Sequence, residues 1–203
     1  MLIKTIEVGH LETNCYIVTD EKTLKCAVID PGDESNTILD YVESNNLKVT
    51  DIFITHGHFD HTKAAETVAE ETGAVIWINR RDLGKRGARE YYKFITDREV
   101  MNYDEGDSIE VGGLTFDVIA TPGHSEGSVT LKCEDALFVG DVLFKDSCGR
   151  TDLPGGNMDI LLNSLRKLGS LEGDFEVYPG HMEQTSLSNE IQGNYYMRYA
   201  LGK

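Results

Sequence analysis

The stretch "ITHGHFDHT", Ile54 to Thr62, decides how this chain is interpreted, because it concentrates three of the six histidines in the sequence and one aspartate. It completes an apolar run, "IFI", which predicts a buried strand that ends in a polar turn. A histidine-rich turn without a role is one interpretation. A metal site is the other, and it requires matching ligands farther along the chain.

Such residues do recur, within or directly after predicted strands. His124 and His181 follow Pro-Gly pairs in "TPGH" and "YPGH", and Asp141 lies in "FVGDVLF". All four prolines of the chain precede a glycine, and this pair is a strong turn signal because proline restricts φ while glycine accepts unusual backbone angles. Functional side chains are often presented where a rigid strand ends, so we expect these residues to form one site.

The spacing of the opening stretch suits two metal ions. Residues alternate sides in an extended segment, so His56 and His58 point the same way and can chelate one ion. Asp60 and His61 come a turn later, near a helix start, and can reach a second ion. Asp141, whose carboxylate has two oxygens, could bridge the pair. Imidazoles and carboxylates in this combination predict two divalent ions, zinc by default with iron or manganese as alternatives.

Composition narrows the class of protein. The apolar fraction of 40% and the charged fraction of 27% predict a soluble globular protein. No apolar run approaches the roughly 18 residues of a membrane helix, and the start lacks a signal-peptide pattern. We therefore expect a cytoplasmic protein without a membrane partner. The formal charge of −16 argues against a nucleic-acid partner.

Two further features concern thiols and local charge. The four cysteines are widely spaced without a C-x-x-C pair, which favours reduced thiols, and Cys15 and Cys26 lie in apolar runs that predict burial. The segment "NRRDLGKRGAR", Asn79 to Arg89, is basic against the general trend. It predicts either a solvated helix face or a landing patch for an anionic substrate.

Strands and helices alternate in two blocks of similar order. Strands are predicted at "LIKTIEV", "NCYIVT", "CAVIDPG", "VTDIFITH" and "AVIWIN", then at "GSVTLKC", "DALFVGDVLF" and "FEVYPGH". "DSIEVGGLTFDVIATPGH" predicts a hairpin turning at Gly112-Gly113. Helices are predicted at "ESNTILDYVESNN", "TKAAETVAEETG" and "MDILLNSLRKLG", and from about Ser188 onward. This order favours an α/β sandwich with helices outside, while a doubly wound single sheet stays open.

The motifs "THGHFDH", "TPGH", "GD" and "PGH", in this order, resemble those of the metallo-β-lactamase superfamily, and "NCYIV" and "VIDPG" extend the resemblance over essentially the whole chain. The resemblance implies an αββα sandwich: two mixed sheets with helices on the outer faces and metal ions at one edge. It also implies two ligand sets with Asp141 between them. The first ligand set is His56, His58 and His124, and the second is Asp60, His61 and His181.

Within this superfamily, "ALFVGDVLFKDSCGRTDLPGG" and "YPGHMEQTSLSNE" are similar to short glyoxalase II-like (hydroxyacylglutathione hydrolase-like) enzymes. This implies hydrolysis of a small-molecule thioester such as S-lactoylglutathione by a hydroxide between two ions, with Asp60 and Asp141 catalytic. We expect one domain, residues 1–203, without the C-terminal helical domain that helps bind glutathione. Arg150 falls where full-length enzymes have a basic residue for the thiol's carboxylate. Asp152 replaces an aromatic contact of those enzymes.

Two alternatives to a thioester hydrolase stay open. "CGRTD" also resembles persulfide dioxygenases, which use a single iron and oxygen, and a non-catalytic metal-binding domain could keep the same ligands. The motifs supply no obvious general acid for a leaving group. A thiolate, with a pKa of about 8.5, can leave without one whereas an amide nitrogen cannot, which favours thioesters over amides.

Asp30, in "VIDPG", is the remaining candidate. Metal-bound histidines usually donate their other N–H to a carboxylate or carbonyl, so Asp30 is predicted either to orient one of the ligands or to stabilise its own turn. The oligomeric state is not indicated by the sequence.

Overall fold

In the described residues, 1–84 and 92–203, this computed structural model contains two six-stranded sheets and one separate two-stranded hairpin. The first sheet runs, in spatial order, β1 (Leu2–Val8), β2 (Thr13–Thr19), β3 (Lys25–Ile29), β4 (Lys48–Ile54), β5 (Val75–Ile78) and β6 (Met101–Asn102). The second sheet runs β14 (Thr185–Ser186), β13 (Glu176–Pro179), β10 (Ala136–Gly140), β9 (Val129–Cys133), β8 (Leu114–Ala120) and β7 (Ser108–Val111). Strands β11 (Leu143–Phe144) and β12 (Ser147–Cys148) form the hairpin.

Both large sheets are mixed. Strands β1, β2 and β3 pair antiparallel, and β3 to β6 continue in parallel. In the second sheet β10 pairs in parallel with β13, and the other neighbours are antiparallel. The helices are α1 (Ser35–Ser44), α2 (Phe59–Thr62), α3 (Ala65–Thr72), α4 (Met158–Leu168), α5 (Leu187–Gly193) and α6 (Tyr195–Leu201), with a 3₁₀ turn at Arg80–Asp82.

Successive side chains of a strand point to opposite faces of its sheet, so each strand contributes to two layers of the core. In β2, Tyr16 and Val18 face the second sheet, while Cys15 and Ile17 face the helices α1 and α3. A third cluster packs the outer face of the second sheet against α4, α5 and α6. Because both faces of the central strands are buried, the strands are apolar almost throughout. The predicted αββα sandwich is confirmed, and the alternative of a doubly wound single sheet is wrong.

Two predicted elements differ from the structure. The helix predicted from about Ser188 breaks into α5 and α6 at Asn194, whose side chain accepts from the backbone N–H groups of Tyr196 and Met197 and so begins a new helix. The strand predicted over "DALFVGDVLF" ends at Gly140, which has φ 50°, and Asp141 therefore lies beyond the sheet.

The predictions for the hairpin and for the cysteines are confirmed. The hairpin turns at Gly112-Gly113, with Val111 opposite Leu114. All four cysteines are free, and Cys15 and Cys26 are fully buried. None of the helices in the described residues combines the length and apolar character needed to cross a bilayer. Residues 85–89 of the basic segment Asn79 to Arg89 lie outside the described residues. Neither the solvated helix face nor the landing patch for an anionic substrate is therefore tested.

Candidate metal centre

The candidate site lies at one edge of the sandwich, where strands of both sheets end. Strand β4 of the first sheet leads into His56 and His58, and the short helix α2 carries Asp60 and His61. From the second sheet, the segments after β8, β10 and β13 carry His124, Asp141 and His181, respectively. The structure therefore brings together all seven side chains that the sequence nominated as ligands.

The first ligand set is a buried group of three converging imidazoles. The Nδ1 atom of His58 lies 3.1 Å from Nε2 of His56 and 2.9 Å from Nε2 of His124. Burial, with the neighbouring His124 and His61, lowers the pKa of His58 to about 4. Facing nitrogens at these distances suit a shared cation, since two nitrogens bound to tetrahedral zinc at about 2.0–2.1 Å lie roughly 3.3 Å apart.

The second ligand set contains a carboxylate and is more open. Nε2 of His61 lies 3.3 Å from Nε2 of His181 and 3.7 Å from Oδ2 of Asp60. The side chain of His61 is fully buried, whereas those of His181 and Asp60 are 20% and 15% exposed. Burial opposes the ionisation of Asp60, but its hydrogen bond to His181 holds the pKa below the ordinary value.

Asp141 lies between the two ligand sets. Its Oδ1 is 3.4 Å from Nε2 of His61, and its Oδ2 is 3.5 Å from Nε2 of His124 and 3.6 Å from Nε2 of His181. Burial would raise the pKa of Asp141, but the charges of the neighbouring His61 and His124 hold it well below its usual range. Oδ1 is buried and, within the described residues, has no hydrogen-bond partner. Such an oxygen is costly unless a cation compensates for it, so the residues present fit a metal at this position.

The outer nitrogens of three of these rings are held by oxygens that can only accept. Nδ1 of His61 is 2.9 Å from Oδ2 of Asp30, Nδ1 of His124 is 2.8 Å from the carbonyl of Arg150, and Nδ1 of His181 is 3.0 Å from the carbonyl of Leu11. Each Nδ1 must therefore donate, so in the neutral form of each ring the Nε2 lone pair is directed toward the centre, as metal binding requires.

Asp30 connects this centre to β4. Its carboxylate accepts from the backbone N–H and the hydroxyl of Thr55, at 2.7 and 2.6 Å, in addition to His61. The residue has φ 50°, a left-handed conformation that aspartate tolerates better than most side chains. The contact with His61 corresponds to the orienting role that the sequence suggested for Asp30.

Two residues near the start of the chain belong to the site although sequence reasoning did not nominate them. The amide of Asn14 donates to the carbonyls of Pro179 and Met182, at 3.1 and 2.9 Å, and the Tyr16 hydroxyl donates to the Pro179 carbonyl at 2.6 Å. These bonds hold the turn that presents His181. The only available signal was the resemblance of "NCYIV" to the superfamily.

Glycine is required at two of the Pro-Gly turns because the backbone passes directly over the site. A Cβ atom on Gly32 would lie 1.6 Å from the carbonyl oxygen of Asp60. A Cβ atom on Gly180 would lie 2.3 Å from Oδ1 of Asp141 and 2.6 Å from Cε1 of His61. Neither contact is possible for a real side chain, so these turns position the ligands by close backbone approach.

A cavity of about 540 Å³ opens onto the candidate centre. Its apolar walls include Phe59, Tyr92 and Phe144, and Arg150 also lines it. The guanidinium of Arg150 is not free, because it makes two hydrogen bonds of 2.7 Å to the carboxylate of Asp152. The predicted substrate contact is thus at the cavity, but its charge is already paired.

Known proteins share this fold and much of this sequence. The curated relatives include the hydroxyacylglutathione hydrolase GloC of Haemophilus influenzae, which is 30% identical over 97% of this chain and 98% of its own length. A protein of Aquifex aeolicus described as uncharacterized is 36% identical over 94% of each chain.

Solved structures agree with this relationship. The BLEG-1 B3 metallo-beta-lactamase has a TM-score of 0.87 at 30% identity, over 97% of this chain and 99% of its own. ETHE1 from Myxococcus xanthus has a TM-score of 0.85 at 31% identity, over 100% and 86%. TTHA1623 in a di-iron-bound form has a TM-score of 0.83 at 32% identity, over 95% and 99%. The family model of the metallo-beta-lactamase superfamily matches residues 8–181, and the chain belongs to this superfamily.

Proposed function

We propose that this protein is a binuclear metal-dependent hydrolase of thioesters, with S-lactoylglutathione or a related thiol ester as substrate. The observation that carries the proposal is the position of Asp141, whose carboxylate lies within 3.6 Å of Nε2 atoms of both ligand sets: His124 of the first, and His61 and His181 of the second. The 30% identity to the hydroxyacylglutathione hydrolase GloC over nearly the full length supports the substrate class.

The first and second ligand sets would each hold one ion, with Asp141 between them. Bound divalent ions supply Lewis-acid polarisation of a carbonyl and lower the pKa of a coordinated water to about 7. Zinc is the default for these side chains, with iron or manganese as alternatives. The di-iron-bound form of TTHA1623 makes iron a serious alternative for this chain.

Asp60 is the candidate for proton transfer. It lines the cavity, it is partly exposed, and its low pKa makes it an anion at neutral pH. We assign it the task of orienting the attacking water and receiving its proton. Phe59, Tyr92 and Phe144 line the cavity beside Asp60 and give it an apolar wall for the acyl group.

Among the described residues, the cavity offers the leaving group no carboxylic acid or imidazole as a dedicated proton donor. The described lining of the cavity contains no carboxyl or imidazole group outside the two ligand sets and Asp141. Cys148 lines the cavity too, but burial raises its pKa to about 11, which makes it a poor acid. A thiolate leaves readily under these conditions and an amide nitrogen does not, so the site supports thioester rather than amide cleavage.

The test is hydrolysis of S-D-lactoylglutathione by zinc- or manganese-loaded protein, followed as loss of thioester absorbance. We expect turnover that a chelator abolishes and added metal restores. Nitrocefin is the control substrate, in view of the similarity to a B3 metallo-beta-lactamase. Two bound ions with no thioester turnover, or faster cleavage of nitrocefin than of any thioester, would contradict the proposal.

A mononuclear-iron persulfide dioxygenase is the second candidate. His56, His124 and Asp141 together offer two imidazoles and one carboxylate, the ligand combination of many non-haem iron oxygenases. Nε2 of His124 lies 3.5 Å from Oδ2 of Asp141, so these two members of the set lie close together. Oxygen uptake by iron-loaded protein with a glutathione persulfide, in the absence of thioester turnover, would favour this candidate.

A further inference from the structure

Asp82 joins the two loops that carry the first ligand set, although it contacts none of the three rings. Its Oδ2 accepts from the backbone N–H of Gly57 at 2.9 Å and from the hydroxyl of Ser125 at 2.6 Å. Its Oδ1 accepts from the backbone N–H of Gly127 at 2.9 Å. Gly57 lies between His56 and His58 in the sequence, and Ser125 directly follows His124.

The link crosses from one half of the sandwich to the other. Gly57 belongs to the loop after β4 of the first sheet, whereas Ser125 and Gly127 belong to the loop between β8 and β9 of the second. The two loops thus depend on one carboxylate for three of their polar contacts.

The loops are also shaped to fit Asp82. A Cβ atom on Gly57 would lie 2.5 Å from the Asp82 carbonyl oxygen, and one on Gly127 would lie 2.8 Å from Cγ of Asp82. The Ser125 hydroxyl is held in turn by the hydroxyl of Ser128 at 2.7 Å. Asp82 itself is 1% exposed, so its carboxylate has no route to substrate.

A buried carboxylate is expensive to maintain unless its hydrogen bonds are fully made. This one makes three and serves neither substrate nor metal directly. Within the described residues, the hydrogen bonds of its carboxylate go to backbone N–H groups and one hydroxyl of the two loops that carry the first ligand set. A role in holding those rings explains both its burial and its partners.

We propose that Asp82 is a positioning residue for the metal centre: it fixes the spacing between the rings of His58 and His124 and thereby sets the metal affinity of the first ligand set. The inference rests on the proposed function, because it assumes that this set binds an ion.

Asp20 provides a matched control. It is 6% exposed and likewise accepts from two backbone N–H groups and one hydroxyl, those of Lys22, Gly113 and Thr23, at 3.1, 2.9 and 2.5 Å. It follows β2 at the end opposite to Asn14, and its bonds join turns that carry no ligand. Replacing either aspartate by asparagine keeps the volume and turns an amide toward N–H donors.

The experiment compares wild type, Asp82→Asn and Asp20→Asn by competition for zinc with a chromophoric chelator, alongside thermal unfolding of the metal-free proteins. We expect both variants to lower the unfolding temperature. Only Asp82→Asn should weaken binding of one zinc ion, by about 10- to 100-fold, the usual effect of losing a group that supports a ligand. The binding of the other ion and both affinities of Asp20→Asn should match wild type.

Unchanged zinc affinities in Asp82→Asn, or an equal loss in Asp20→Asn, would overturn the inference and leave Asp82 as a stabilising residue only. If Asp82→Asn does not fold, Ser125→Ala serves instead, because it removes a single hydrogen-bond donor to Asp82. This variant should lower the affinity for the same zinc ion by a smaller factor, and an unchanged affinity would also overturn the inference. Wild-type protein that binds fewer than two zinc ions would instead refute the binuclear proposal, so the two failures are distinguishable.

Discussion

The two ligand sets of this protein differ in burial and in chemistry. The first consists of three imidazoles that are 1%, 5% and 2% exposed, while the second includes a carboxylate, and two of its three side chains are at least 15% exposed. The buried set is suited to hold an ion rigidly and to polarise a carbonyl. The open set is suited to exchange protons with water. In the proposed mechanism, this difference in ligand depth would separate ion binding from proton transfer.

The largest expected effect follows from removing the residue that both ligand sets share. Asp141→Asn keeps the volume but lowers the charge between the sets, so both ions should bind more weakly. Metal-ion catalysis is worth several kcal/mol, which predicts a fall in kcat/KM of roughly 10³-fold or more. Steady-state kinetics on S-lactoylglutathione and metal analysis measure this. Two tightly bound ions with near-normal activity would show that Asp141 does not link the sets.

A pair of variants, one in each ligand set, tests the difference in burial between the two sets. His181→Ala removes a partly exposed ligand of the second ligand set and should reduce bound zinc from two ions to one, with little loss of stability. His58→Ala removes a buried ligand of the first and should lose an ion and also destabilise the fold, because it leaves a buried cavity. Metal stoichiometry and thermal unfolding of the metal-free variants check both outcomes. Equal destabilisation by the two variants would contradict the difference in depth.

A smaller effect is expected at Asp30, which supports the second ligand set through His61. Asp30→Asn should weaken metal binding or activity by about 10- to 100-fold. It should also lower the free energy of unfolding by about 1–3 kcal/mol, because one of the two oxygens that accept from Thr55 and His61 becomes an amide donor. Zinc competition and denaturant unfolding would measure the two quantities. A loss confined to the first ligand set would contradict this assignment.

The smallest effect concerns the Arg150–Asp152 pair at the cavity. Asp152→Asn frees the guanidinium of Arg150, so KM for the anionic S-lactoylglutathione should fall by a few fold, while a neutral thioester should be unaffected. The hydrogen bond to Arg150 lowers the pKa of Asp152 to about 2. The carboxylate therefore stays ionised until the pH falls toward 2. The effect of the substitution on KM should accordingly be the same at pH 5.5 and pH 8. A KM effect that varies across this range would contradict the pairing.

The fold class and the candidate ligands could be predicted from short-range sequence patterns. The apolar run "IFI" predicted that β4 is a buried strand, and the two blocks of alternating strands and helices favoured a sandwich with helices outside. The candidate ligands were also identifiable, because they lie in short motifs at or near the ends of predicted strands. A motif of this kind is local, so its residues can be recognised without knowing which other segments they will meet.

The supporting contacts could not be read in this way. Asn14 reaches the Pro179 carbonyl across 165 positions of sequence, and Asp82 meets the Ser125 hydroxyl across 43. The break between α5 and α6 depends on Asn194, whose amide donates to the carbonyl of Ser147 in the hairpin. Each of these is a polar group satisfied by a distant segment. Local propensity carries no information about such partners, and they are fixed only when the two sheets pack and every buried donor and acceptor must find its match.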